Sequence, residues 1–314
     1  MATKISRRGL LRIAGETTAA IGISTMAGEL SATSAMAQNG PDSDKAKGQK
    51  PVTTVSVGSG VQLFYREDWL GEPWLTPEPM LLIHGVGESG LAWFGWVPRM
   101  AREFRVLRPD TPGFGHSTVP RNFDWTLPNL AKAFAGFLDA MEVESAHIIG
   151  AKLGGAMAMQ FAADYPRRTR TLVLAGAPVS TPVFNNTTAE VLDKKWVTDT
   201  QHDRLGSAAP KEEMDYWNKM MSVVSPETQT GINKVTAALN MDSVLPRIMA
   251  PTLVITTDRS SLQSVETVIG YQKKIPNSRL LVLTSDAYHV AVAKADECVT
   301  NALSFIKQTS AQRA

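Results

Sequence analysis

The chain has a single cysteine, only five histidines and five tyrosines in 314 residues, and almost no excess of either charge, 32 basic against 30 acidic side chains. With Cys298 alone an internal disulfide is excluded, so an apolar core must hold the fold. Cys298 itself falls in a helical pattern and reads as a small buried apolar residue. The balance of charge argues against a nucleic-acid or anionic-membrane partner. The histidines show no close ligand spacing with carboxylates, so neither metal nor cofactor is expected. No apolar run is long enough for stable membrane insertion. Oligomeric state is left open.

What is present begins with Ser6-Arg7-Arg8-Gly9-Leu10-Leu11-Arg12, a mildly apolar stretch, and the small-residue site Ala35-Met36-Ala37. This layout resembles a bacterial twin-arginine signal over 1–37, followed by a flexible linker over 38–50, and implies export of a folded protein to the periplasm or beyond. The signal carries the formal charge of +2, because Lys4, Arg7, Arg8 and Arg12 outnumber Glu16 and Glu29 by two. The remaining chain is near neutral and long enough to build a sizeable core.

An opening hairpin is expected from strand formers at 51–57 and 62–65 around Gly58-Ser59-Gly60. Short apolar runs at 80–83, 105–107, 147–149, 171–174, 252–256 and 280–283 read as strands. Helical patterns at 127–141, 153–165 and 290–307 read as helices between and after them. This alternation predicts an α/β chain with a mostly parallel sheet covered on both faces. Between 178 and 246 the rhythm lapses into a segment with Trp196, Met214, Trp217, Met220 and Met221. A helical lid is expected there, between a first core part, 51–177, and a second, 247–314. Placed at the carboxyl ends of the strands, it would shape a pocket.

The segment Gly150-Ala151-Lys152-Leu153-Gly154-Gly155 joins a strand to a helix. Only small neighbours let backbone approach backbone at so sharp a turn, so residue 152 is held at its apex and presented to a pocket. Around it the sequence resembles the α/β-hydrolase family of the small lidded esterase, lactonase and meta-cleavage hydrolase type. The resemblance rests on Leu82-Ile83-His84-Gly85-Val86-Gly87, Arg108-Pro109-Asp110-Thr111-Pro112-Gly113-Phe114-Gly115-His116-Ser117, the elbow, Ala250-Pro251-Thr252-Leu253-Val254-Ile255 and Tyr288-His289. It runs from about residue 51 to 306.

That resemblance implies an α/β-hydrolase fold with a helical lid and a site made of serine, an acid and histidine. Here lysine stands at the serine position as Lys152, histidine is kept as His289, and Ser260 falls where the acid is expected, with Asp258 as a second candidate to orient His289. The backbone N–H groups of Val86 and Leu153 are the expected oxyanion donors. His84, Glu88, Trp93, Trp196 and Trp217 are expected near the pocket, with Glu88 a candidate partner for Lys152 and His84 mainly structural. His116 and His147 read as structural, and His202 lies in the lid. A small carbonyl compound, an ester, lactone or diketone, is the expected substrate. Direct attack by an amine on an ester would leave a slowly released amide. The chemistry therefore falls between a protonated Lys152 that polarises a carbonyl or holds a carboxylate while His289 moves a proton or activates water, an imine-forming Lys152 that promotes carbon–carbon cleavage or decarboxylation, and a ligand-binding protein without chemistry.

Overall fold

The computed structural model describes residues 53–181, 194–221 and 224–312, and for 194–196 the helical backbone alone. The expected signal and linker over 1–50 and the side chain of Trp196 lie outside the described residues. Among those residues no helix is long and apolar enough to cross a membrane.

Eight strands form one sheet in the order β1-β2-β4-β3-β5-β6-β7-β8. They are β1 Thr53–Ser56, β2 Gln62–Asp68, β3 Glu78–Ile83, β4 Phe104–Pro109, β5 Ala146–Ala151, β6 Thr169–Ala175, β7 Thr252–Thr257 and β8 Ser278–Leu283. The first two strands pair antiparallel with their neighbours and all later pairings are parallel. Every residue of β5 and of β7 is buried, which is why the central strands read in sequence as short continuous apolar runs rather than alternating ones.

Helices cover both faces. On one side α2 (Leu127–Ala140), α3 (Leu153–Asp164) and α8 (Val265–Gln272) bury Phe134, Phe137, Met157, Phe161 and Tyr271 against the sheet. On the other, α1 (Val97–Met100), α9 (Val290–Ala293) and α10 (Ala295–Ala311) bring Trp96, Met100, Val299 and Phe305 together with the buried Cys298. Thr126 caps α2 by accepting the Asn129 N–H at 3.4 Å, with Pro128 in the first turn where its missing N–H costs nothing. In α3 all residues but Asp164 are buried, as expected of a helix that is apolar on every side. The terminal helix expected over 290–307 is broken at Lys294, whose φ of −129° and ψ of 40° separate α9 from α10.

Between β6 and β7 lie the insertion helices α4 (Lys194–Asp199), α5 (Gln201–Leu205), α6 (Lys211–Met220) and α7 (Pro226–Ala237). The chain enters and leaves this region side by side: Ser180 bridges Asn240, and the Met241 N–H donates to Val179 O at 2.9 Å. Val197, Leu205, Trp217 and Met221 form a separate apolar cluster with Ala92 of the loop after β3. That cluster seats the insertion near the carboxyl ends of the central strands.

Candidate active site

Lys152 stands between the end of β5 and the first residue of α3, with φ 51° and ψ −127°. A non-glycine residue in this left-handed region is strained, and the strain persists because the surroundings fix it. A side chain on Gly150 would come within 2.5 Å of Gly154 O, and one on Gly154 within 2.3 Å of His84 O. The helix start is therefore pressed against both its own strand and the end of β3, which sets Leu153 close to the loop carrying Val86. The Lys152 N–H donates to Ala175 O at 3.1 Å, pinning the apex to β6.

The Lys152 side chain meets Glu88, from the loop after β3, in a direct ion pair. The same carboxylate oxygen lies 3.2 Å from Nη1 of Arg204 on α5 and 3.0 Å from Nε2 of His289, which immediately precedes α9. The other oxygen accepts the Gly85 N–H at 3.0 Å. Glu88 and Arg204 are wholly buried and Lys152 and His289 almost so. The His289 contact is close but out of line for a good hydrogen bond, and Nδ1 has no hydrogen-bond partner among the described residues. The Tyr288 ring lies 5.8 Å from Lys152 Nζ and 5.7 Å from the Arg204 guanidinium. Trp217 sits 5.5 Å from the His289 ring, centroid to centroid.

Burial sets the proton affinities here. It opposes charge on Lys152, the nearby Arg204 adds repulsion, and together they outweigh Glu88 and lower the ammonium to about 7. Burial likewise lowers His289 to about 4, against the pull of Glu88 and with help from Lys152 and Arg204. Burial alone would raise Glu88, but Lys152, His289 and Arg204 hold it well below the usual carboxylate range. Near neutral pH Glu88 is thus ionised, His289 is uncharged and Lys152 exchanges its proton.

Other expected residues fall elsewhere. Asp258 accepts the Ser285 N–H at 2.9 Å and lies beside Arg259, with 38% of its side chain exposed, and the Ser260 hydroxyl accepts the Leu262 N–H within its own turn. Neither is the carboxylate or hydroxyl found beside His289; the loop after β7 turns both into local backbone contacts. Trp93 packs edge-on to Trp96 at 5.2 Å within the core on the α10 side of the sheet, so it is core packing. His84 bridges loops, with Nδ1 2.8 Å from Gly85 O and Nε2 accepting the Thr111 N–H at 2.8 Å. His147 bonds Thr171 and Glu78, and the His116 ring lies tilted against that of Phe64, 4.6 Å between centroids. His202 is exposed, whereas Arg204, two positions on, points inward. Arg204 carried no signal in the sequence, because its partner Glu88 is 116 positions away. Among the described residues no group of three or more His, Cys, Asp and Glu side chains is arranged to hold a metal ion.

Residues 78–234 match the alpha/beta hydrolase fold family. The chain is 37% identical over 102 residues to the 2-hydroxy-6-oxo-2,4-heptadienoate hydrolase of Pseudomonas putida, covering 32% of this chain and 37% of that protein. It is 38% identical over 122 residues to the 2-hydroxymuconate semialdehyde hydrolase of a Pseudomonas species, covering 38% and 41%. The chain thus spans about two fifths of the length of these relatives. In three dimensions it superimposes on the enol-lactonase of Burkholderia xenovorans with a TM-score of 0.72 over 80% of this chain and 99% of that one, at 20% identity. A hydrolase of Pseudomonas aeruginosa gives 0.70 over 82% and 98%, at 25% identity. With the sheet order, the strained elbow and the matched half of its length in agreement, the chain belongs to the α/β-hydrolase fold family.

Proposed function

We propose that this chain is a hydrolase-family enzyme acting on a small carbonyl compound, an ester, lactone or diketone, with Lys152 in the position of the family's serine nucleophile. The observation that carries the reading is the buried Glu88 carboxylate gathering Lys152, Arg204 and His289 beneath the elbow. A group whose proton leaves near neutral pH is suited to moving protons in a reaction, and Lys152, at about 7, is that group here.

In the hydrolytic route the neutral Lys152 amine takes a proton from water as the water oxygen bonds to the carbonyl carbon. The carbonyl electron pair moves to oxygen, toward the N–H groups of Val86 and Leu153. The new Lys152 ammonium lies against Glu88, and its proton returns to the leaving oxygen or carbon as the intermediate collapses. His289 acts as the accompanying acid–base group by sharing Glu88 with the lysine. Trp217 walls the site beside His289.

A second reading is favoured by one observation: Lys152 is desolvated and stands near another cation, the circumstances that activate imine-forming lysines. On a ketone the amine would add to the carbonyl carbon and expel water, leaving an imine that accepts electrons from a breaking carbon–carbon bond. Borohydride in the presence of substrate separates the two, since only the imine leaves a stable mass adduct on Lys152.

The test is turnover of a panel of esters, lactones and 1,3-dicarbonyl compounds beside Lys152→Ala, followed against pH. The expected result is a rate that rises with pH through about 7, as the amine is freed, and a loss of about 100-fold or more in the variant. A rate that instead falls through the same pH assigns the work to the ammonium. Ligand binding without turnover by either protein refutes the enzyme reading and leaves a binding protein on a hydrolase scaffold.

The pair Arg7-Arg8 and the Ala35-Met36-Ala37 site support export by the twin-arginine route. Expression with Arg7→Lys and Arg8→Lys together is expected to trap the uncleaved chain in the cytoplasm; unchanged processing overturns it.

A further inference from the structure

The insertion supplies more than a cover. Arg204 reaches from α5 to the Glu88 oxygen that also meets Lys152 and His289. The Tyr288 N–H donates to Asp203 O at 3.0 Å and the His289 N–H to Arg204 O at 2.9 Å. Ser207, just beyond α5, donates its N–H to the Asp286 carboxylate at 3.2 Å. The segment bearing Arg204 and the segment bearing His289 are therefore laced together through their backbones, and α5 is a fixed part of the site.

We propose that Arg204 is a positioning residue that keeps Glu88 paired when Lys152 gives up its proton, so that the insertion sets the charge state in which the site works. The reasoning is electrostatic. A buried carboxylate without a partner is costly, and were Lys152 the only cation beside Glu88, loss of its proton would leave that anion alone. With Arg204 present the count changes: among the described residues one carboxylate faces two cations while Lys152 is protonated, and one cation once it is neutral. Neutral Lys152 then leaves the buried cluster balanced, and protonated Lys152 leaves it with a surplus charge. The groups facing Lys152 are Glu88 on the loop after β3, Arg204 on α5, Tyr288 and His289 on the segment before α9, and His84 at the end of β3. Among them Arg204 is the cation that keeps its charge at every working pH. Exposed α5 neighbours such as His202 and Asp203 do not substitute for it.

This inference rests on the placement of Lys152 in the proposed site, but its test needs no turnover. In protein labelled with carbon-13 at the lysine Cε, the Lys152 resonance is identified by its loss in Lys152→Arg and followed from acid to alkaline pH. Its midpoint is expected near 7 in the parent. Arg204→Met is expected to raise it by about one pH unit or more, about a fivefold or greater loss of neutral amine at pH 7, and Arg204→Lys to hold it near the parent value. Arg204→Gln serves if the methionine variant fails to fold. A parent midpoint in the ordinary lysine range, or an unchanged midpoint in a folded variant lacking the Arg204 charge, overturns the proposal. If the resonance behaves as expected while no carbonyl compound is turned over, the enzymatic reading fails and this inference stands.

Discussion

Two buried ion clusters hold the loop that follows β3, and they are built differently. At its far end Arg108 grips Asp68 through two bonds of 2.7 and 3.0 Å and donates a third to Gly90 O at 2.9 Å. At its near end Glu88 is shared by Lys152, Arg204 and His289, with more positive groups than one carboxylate can match. In the first cluster Arg108 meets Asp68 in fork geometry, as suits a structural tie. The second is unbalanced while Lys152 is protonated, and such a buried cluster shifts its protons. Burial by itself does not mark a reactive centre; the mismatch of charge within it does.

The largest test of this contrast is stability. Arg108→Met leaves Asp68 buried without its fork, so the unfolding free energy in urea is expected to drop by about 3–5 kcal/mol. A loss below about 1 kcal/mol would mean that the pair is not a tie at all.

Two glycines of the same loop give the next effect. A methyl at Gly90 would meet backbone, Arg108 O at 2.6 Å, whereas one at Gly85 would meet the movable Lys152 Cε at 2.5 Å. Gly90→Ala is expected to cost about 1–3 kcal/mol of stability. Gly85→Ala is expected to keep the fold while displacing the lysine, lowering kcat/KM by about 100-fold on any substrate found. Equal losses of stability in both would erase the distinction between the two ends of the loop.

A smaller effect of opposite sign is expected at Lys152. Its folded-state pKa, about 7, lies below the ordinary lysine value. The unfolded chain therefore binds the extra proton between about pH 7 and the ordinary lysine range, and stability from this group rises with pH across that window. Below it the folded protein carries the full cost of a buried ammonium. Lys152→Met, with Arg204 still pairing Glu88, is expected to stabilise the protein by about 1 kcal/mol at pH 6 and by less at pH 9, measured by thermal unfolding. Destabilisation at pH 6 would place Lys152 with Arg108 among the structural ties.

The smallest effect is expected at Asp258. Its carboxylate serves the Ser285 N–H rather than His289, so Asp258→Ala should leave turnover within about twofold and cost about 0.5–1.5 kcal/mol. A large loss of turnover would return the orienting acid to the end of β7.

Much of the fold was legible because buried parallel strands leave short apolar runs bounded by turn residues, and these located all eight strands to within a few residues. The break at Lys294 was not legible, since the apolar pattern continues across it from Val290 to Ile306. In the site the elbow glycines marked Lys152, because close backbone approach demands small residues there whatever the apex residue is. Glu88 could be suspected from its nearness to the same loop. After β7 the sequence offered Ser260 and Asp258, but it could not reveal that both side chains fold back onto backbone N–H groups of nearby loops.

The sequence by itself determined the alternation of strands and helices, the absence of disulfides and the apex at residue 152, all of which follow from local spacing and residue size. Only the tertiary structure decided which charges meet there. Arg204 joins Glu88 across 116 positions because the insertion folds over the strand ends, and the burial this imposes lowers Lys152 and His289. Desolvation and charge pairing depend on distances in space, and no local pattern of residues encodes them.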